Sequence, residues 1–269
     1  MKTAFDHIAQ SYDQSFTYTA VGMAQRKLVC NYFEKIISNQ SGLNILELNC
    51  GTGEDAVWLA QKGHNVMATD ISGLMLNQVE IKAIQHNLTD KLKFQVVDIQ
   101  LIDKIFIEEK FDLVFSNFGG FNCLSQEDLC LFFQSTLPKL LKANGKFIGV
   151  IMPKFCCWES VYFLVKLEFS KVFRRFSKKP LEASLGSGVS IKTWYFSPKN
   201  VQESLPKNLT ITHKQPIGFF IPPSYLNSIF EKRKLVLKFL EKLENWAIKI
   251  PFLAKASDHF LIEIVKKNK

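Results

Sequence analysis

The chain has 269 residues, 47% of them apolar, and a formal net charge of +9. That composition supplies a sizeable core and excludes a disordered or fibrous protein. The start lacks the basic, apolar and small-residue sections of a signal peptide, and no apolar run reaches the roughly 18 residues of a membrane-spanning helix, so a cytoplasmic location is expected.

In chain order, residues 43–48 form a short apolar run closed by a glycine-containing turn, and 54–62 is helix-like, giving strand, tight loop, helix. The rhythm repeats with a strand at 65–69 and a helix at 74–86, a strand at 93–97, a strand at 111–116 and a helix at 128–141, then a strand at 146–152. Such alternation predicts an α/β fold: a doubly wound, mostly parallel seven-stranded sheet with an antiparallel edge strand and helical cap insertions.

After Met152 the rhythm changes. Residues 154–176 read as a long aromatic and basic helix, 180–190 as a Gly/Ser loop around Gly186-Ser-Gly188, and 191–196 as a strand. Ser197-Pro198 starts a short helix, strands are expected at 209–214 and 259–265, and a helix at 225–248. The expected organisation is a ligand-binding core with an N-terminal lid over 1–152, cap insertions at 153–190 and 216–255, and strands within 191–215 and 256–269 completing the sheet.

Much of the positive charge sits in the C-terminal half, in Lys171-Val-Phe-Arg-Arg175, Lys178-Lys179, Glu231-Lys-Arg-Lys234 and the Lys266-Lys267-Asn-Lys269 tail. Such clusters suit nucleic acid, anionic lipid or an acidic small molecule, and equally a solvated basic face. The six cysteines are scattered without CxxC pairs, so neither a metal site nor a disulfide framework is expected.

The strongest motif is Glu47-Leu-Asn-Cys-Gly-Thr-Gly53 at the end of the first strand. Gly51 and Gly53 permit a sharp turn and let backbone N–H groups approach a ligand. Glu47 adds a carboxylate there, which a pyrophosphate would not welcome but an ammonium- and sulfonium-bearing ligand would. Asp70, at the end of the second strand, is placed to reach the hydroxyls of a ribose. At the end of the third, Asp98 suits an adenine amino group, with the Ile99 N–H facing the ring.

With these acids in order, each at a strand end, residues 5–152 resemble the class I (Rossmann-like) S-adenosylmethionine-dependent methyltransferases of small-molecule type. The resemblance implies S-adenosyl-L-methionine as cofactor, held by Tyr12, Glu47, Asn49, Gly51, Gly53, Asp70, Ile71, Asp98, Ile99 and Asn117. Tyr12 lies in Phe5-Asp-His-Ile-Ala-Gln-Ser-Tyr12-Asp13, similar to the segment that often folds over the cofactor in such enzymes. Asn49 stands where the family often has glycine. Asn117 and Asn122, in the loop beside the methyl group, and His259 are the candidate catalytic residues.

The implied activity is methyl transfer to an O, N or C nucleophile of a small hydrophobic or acidic metabolite. Lys166, Arg174 and Arg175 are expected to face an anionic end of that acceptor. Ser116-Asn117-Phe118 lacks the Asn-Pro-Pro-aromatic pattern of base N-methylation, which argues against nucleic acid. Peripheral contact with an anionic membrane stays open, as does the oligomeric state. The alternatives are a non-methylating cofactor-binding module (sensor, scaffold or cyclase-like), an RNA or protein methyltransferase, and a nicotinamide-dependent oxidoreductase, which Glu47 and the incomplete glycine pattern disfavour.

Overall fold

The computed structural model describes residues 3–186 and 188–267; Ser187 in the expected Gly/Ser loop and the Asn268-Lys269 end of the basic tail lie outside the described residues. β1 (Asn44–Leu48), β2 (Asn65–Asp70), β3 (Leu92–Val96), β4 (Phe111–Ser116), β5 (Leu141–Ile151), β8 (Leu209–Ile217) and β9 (His259–Lys266) form one sheet of order β3-β2-β1-β4-β5-β9-β8. β1 to β5 are parallel, while β9 runs antiparallel to both β5 and β8, one place in from the edge. Both faces are covered: Ile45, Phe115 and Ile148 point into one core, and Leu46, Leu48 and Phe147 into the other. This is why the central strands read as near-continuous apolar runs.

The helices are α1 (Ala20–Ile37), α2 (Glu54–Gln61), α3 (Gly73–Gln85), α4 (Ile102–Ile105), α5 (Gln126–Leu131), α6 (Leu137–Leu140), α7 (Cys157–Val165), α8 (Pro198–Glu203), α9 (Asn227–Phe230) and α10 (Lys234–Ala247). α1 adds to the expected set. The Thr19 hydroxyl caps it by accepting from Gly22 N, and Val21, Ala24, Leu28, Tyr32 and Phe33 recur at helical spacing on its buried side. Phe33 meets Phe115 of β4 edge to face at 4.5 Å, which seats α1 on the sheet.

Three expected helices are broken, each for a local reason. The 128–141 stretch is divided into α5 and α6 by a widened π turn, Phe132–Thr136, next to Pro138, which has no N–H to continue the ladder. The 154–176 stretch stops at Val165, because Leu167 adopts φ +60°, and goes on only as short 3-10 turns. The 225–248 stretch breaks before α10, where Arg233 leaves helical space at φ −119°, ψ 52°.

The strand expected at 191–196 does not join the main sheet. Val189–Thr193 is β7, which pairs antiparallel with β6 (Leu181–Gly186) in a separate hairpin. Positive φ at Gly186 and Gly188 turns it, and Leu185 packs on Ile8, Ala9 and Met75. The seventh strand of the sheet comes instead from the C-terminal pair, with β8 on the edge.

Candidate functional site

The turn from β1 into α2 reverses within a few residues because Asn49 (φ 53°), Gly51 (φ 56°) and Gly53 (φ 74°) all take left-handed conformations. Asparagine is among the side-chain-bearing residues that enter this region most readily, so Asn49 fills a position where glycine is expected without changing the path. At Gly53 a Cβ would sit 2.6 Å from Val79 Cγ2, so its hydrogen is what lets α2 and α3 close. At Gly51 the nearest atom would be Tyr12 Cε1 at 3.9 Å, and there the backbone angle is the constraint.

Asp70 ties this loop to β2. Its Oδ2 accepts from Gly51 N at 2.9 Å and its Oδ1 from Ser72 N at 2.8 Å, leaving each oxygen a further lone pair. Burial raises its pKa, against those backbone hydrogen bonds. Along the same edge Asp98 accepts from Gln100 N at 2.9 Å and caps the turn Ile99–Leu101, with Ile99 partly buried beside it and Ile71 43% exposed.

Among the described residues, five buried side-chain polar atoms lack a hydrogen-bond partner, and three of them, Glu47 Oε2, Asn49 Oδ1 and Ser116 Oγ, belong to this edge. The register sets Leu48 of β1 beside Ser116 of β4, and a Cβ on Gly120 would lie 2.6 Å from Asn49 Cβ and 3.0 Å from Ser116 Oγ. An unsatisfied buried polar atom costs about 1–3 kcal/mol, and more if charged. Burial first, then Asp55, drives the Glu47 carboxyl well above its ordinary pKa of 4.5, with Arg26 opposing. The chain Arg26–Asp55 (2.7 Å) and Asn117 Nδ2 to Asp55 Oδ2 (2.7 Å) fixes Asn117 beside the loop, with its own Oδ1 accepting from Phe118 N.

The N-terminal segment is strapped over this cradle. Asp13 accepts from Thr52 Oγ1 at 2.6 Å and pairs with Lys82 at 2.6 Å, Asp6 accepts from Ser72 Oγ, and Tyr18 donates to Glu54 at 2.9 Å. The Tyr12 ring lies 5.1 Å from that of Phe16, tilted by 32°. Burial and then the neighbouring Asp70 push its hydroxyl up to about 12, so at neutral pH Tyr12 is a hydrogen-bond donor and not a base.

On the β5–β9 side the candidates diverge. Asn122 is fully buried and its side chain is committed to backbone: Nδ2 donates to Met152 O and Trp194 O, and Oδ1 accepts from Met152 N. It splices β5 to the segment after β7 and presents nothing to an acceptor. His259 opens β9, with its ring 5.4 Å from Phe118 edge to face and Nδ1 3.2 Å from Asp258 Oδ2. That Nδ1 is buried and not aligned in a hydrogen bond.

Arg174 and Arg175 do not face an acceptor as expected, because both are neutralised. Arg174 is bidentate to Glu159, and buried Arg175 pairs with Glu159 and with Asp258, each at 3.0 Å. Burial would raise the carboxyl of Asp258, but His259 and Arg175 beside it hold it well below the usual range; the two arginines likewise lower Glu159. The Lys166 ammonium lies over the Tyr162 ring at 5.4 Å. Trp158 and Tyr162 of the first inserted segment pack on Phe230 and Tyr225 of the second. Sequence reading missed Glu244, which is fully buried and accepts from the backbone N–H groups of Gly218, Phe219, Phe220 and Ile221, fixing the cap loop. Its one signal was an acid on the apolar side of a helix.

Residues 45–145 match the model of a methyltransferase domain. The ubiquinone/menaquinone biosynthesis C-methyltransferase UbiE of Rickettsia typhi is 30% identical over 176 residues, which span 62% of this chain and 60% of that relative's length. An S-adenosylmethionine-dependent methyltransferase from Clostridium acetobutylicum superposes with a TM-score of 0.60 at 16% identity, over 99% of this chain and 100% of the other. Magnesium protoporphyrin IX methyltransferase from Synechocystis, solved with bound SAH, gives 0.58 at 16% identity over 92% and 84%. At such identities the structural likeness is one of fold.

Proposed function

We propose that this chain is a class I, Rossmann-like S-adenosylmethionine-dependent methyltransferase, and that it methylates a carbon of a small, apolar, quinone-type acceptor in the cytoplasm. The observation that carries the reading is that Glu47 Oε2, Asn49 Oδ1 and Ser116 Oγ, all at the carboxyl edge of β1 and β4, are buried without a partner, the last two meeting around Gly120. Unpartnered polar atoms along one sheet edge fit a ligand that supplies the missing donors, and the Glu47 carboxylate suits a cation.

Glu47, Asn49 and the Gly51 loop would hold the amino-acid end of S-adenosylmethionine, Asp70 and Ile71 the ribose, and Asp98 and Ile99 the adenine. When bound, that group supplies an electrophilic methyl carbon. Tyr12 shields the cradle from water, and Asn117, anchored on Asp55, sets the loop against which an acceptor rests. His259 is the residue we assign to proton removal: its Nδ1 lies 3.2 Å from Asp258 Oδ2, so that carboxylate orients the ring and leaves Nε2 as the basic nitrogen.

The C-methylation chemistry and the quinone class come from the name of the Rickettsia relative. The cap supports an apolar acceptor, since its arginines are already neutralised. Six cysteines without disulfides suit a reducing compartment. Incubation of the protein with isotopically methyl-labelled cofactor and an apolar extract tests the reading by mass spectrometry. The label is expected in one apolar product together with S-adenosylhomocysteine. Cofactor binding without turnover, or label in RNA or protein, contradicts it.

A further inference from the structure

α10 has two faces. Leu237 and Ala247 are buried, and Glu244 turns inward to the 218–221 backbone. On the solvent face Leu235 (83% exposed), Phe239 (58%) and Trp246 (59%) recur at spacings of four and seven, so they form one stripe, which Phe252 (66%) extends beyond the helix. Lys238, Lys242 and Lys249 stand exposed among them, and the Lys255 ammonium lies over the Phe252 ring at 3.5 Å. The helix has two acids: Glu244 points away from this face, and Glu241 is half-buried.

Large apolar side chains held in water beside flexible cations are the composition of an interfacial helix, in which rings enter the acyl boundary and lysines extend to anionic headgroups. A second copy of the chain would bring lysine stripe against lysine stripe in a two-fold pairing, which like-charge repulsion opposes. A nucleic acid would use the lysines but leave the three apolar side chains without a role. A further apolar outcrop, Val165, Leu167 and Phe169, runs from the last residue of α7, which packs through Tyr162 on Tyr225, just before α9.

We propose that the exposed face of α10 docks the cap on a membrane surface rich in anionic lipid, with Leu235, Phe239 and Trp246 inserted and Lys238, Lys242 and Lys249 at the headgroups. This goes beyond the methyl-transfer reading and does not depend on it. It places the cap, beside the carboxyl edge of the sheet, where an apolar acceptor partitions.

The full chain is sedimented with vesicles of phosphatidylcholine, with and without phosphatidylglycerol, at low and high salt. Binding is expected only to the anionic vesicles, weakened by salt, and with Trp246 emission quenched by brominated acyl chains in a way that Trp246→Phe abolishes. Each of Lys238→Gln, Lys242→Gln and Lys249→Gln should weaken binding about fivefold, and Leu235→Ser with Phe239→Ser should abolish quenching while leaving thermal unfolding unchanged. These sites are exposed, so the variants fold. Equal binding to neutral vesicles, no binding to anionic ones, competition by single-stranded RNA, or a dimer broken by the Leu235 and Phe239 substitutions would each overturn the proposal.

Discussion

At the glycine loop the protein buries Glu47, Asn49 and Ser116 with polar atoms that nothing in the chain satisfies, whereas under the cap it buries Glu159, Arg175, Asp258 and Glu244 with every charge answered. Both regions lie at the carboxyl edge of one sheet and hold comparable numbers of carboxylates. That difference is what the proposed cofactor site predicts: polar atoms open to a ligand at one place and a closed ion-pair network at the other. It also explains why basic residues that look like acceptor ligands in the sequence are not: Arg174 and Arg175 spend their donors on Glu159 and Asp258.

The largest effect is expected under the cap. Arg175→Ala leaves Asp258 a buried carboxylate without its guanidinium and Glu159 with Arg174 alone, and should lower stability by about 3–5 kcal/mol, read by denaturant unfolding. Cofactor affinity of the protein that remains folded should not change. A loss of affinity without a loss of stability would erase the contrast between the regions.

Asp70→Ala comes next and mixes the two behaviours. It orphans Gly51 N and Ser72 N, which should cost about 1–3 kcal/mol of stability, and it removes the proposed acceptor for the ribose, which should weaken cofactor binding about tenfold or more. Calorimetry that shows unchanged affinity removes Asp70 from the site. The smallest effect belongs to Asn49→Gly. It relieves a left-handed asparagine at φ 53° and changes stability by less than about 1 kcal/mol. If its affinity falls together with its fold intact, the Asn49 amide is a ligand contact and not only a turn residue.

The strands of the parallel half, the glycine turn and the three acids were legible because each is a local pattern: an apolar run, a tight turn, a carboxylate at its end. The cap was not. Leu167 and Arg233 break their helices through backbone angles that no propensity marks, and β6 and β7 are strands only because the hairpin finds Ile8, Ala9 and Met75 to pack on. Asn122 shows the same limit within the site. Its chemistry suits an acceptor contact, and only its three backbone partners, 30 and 72 residues away in sequence, reveal a splice.

We propose that Glu47, buried with Oε2 unpartnered, is there to meet a cationic ligand. Burial raises its pKa, so between the unfolded carboxyl's ordinary 4.5 and that raised value the folded protein carries a proton that the unfolded chain has lost, and ionising it costs stability. A bound cation reverses this and expels the proton, so affinity should rise with pH through the raised pKa. Calorimetric titration of S-adenosylmethionine into the protein, in buffers of different ionisation enthalpy, measures the coupling. The wild type should release a proton on binding, and Glu47→Gln should bind about tenfold or more weakly with no release. Equal affinity for the two proteins, with no proton released by either, would contradict the account.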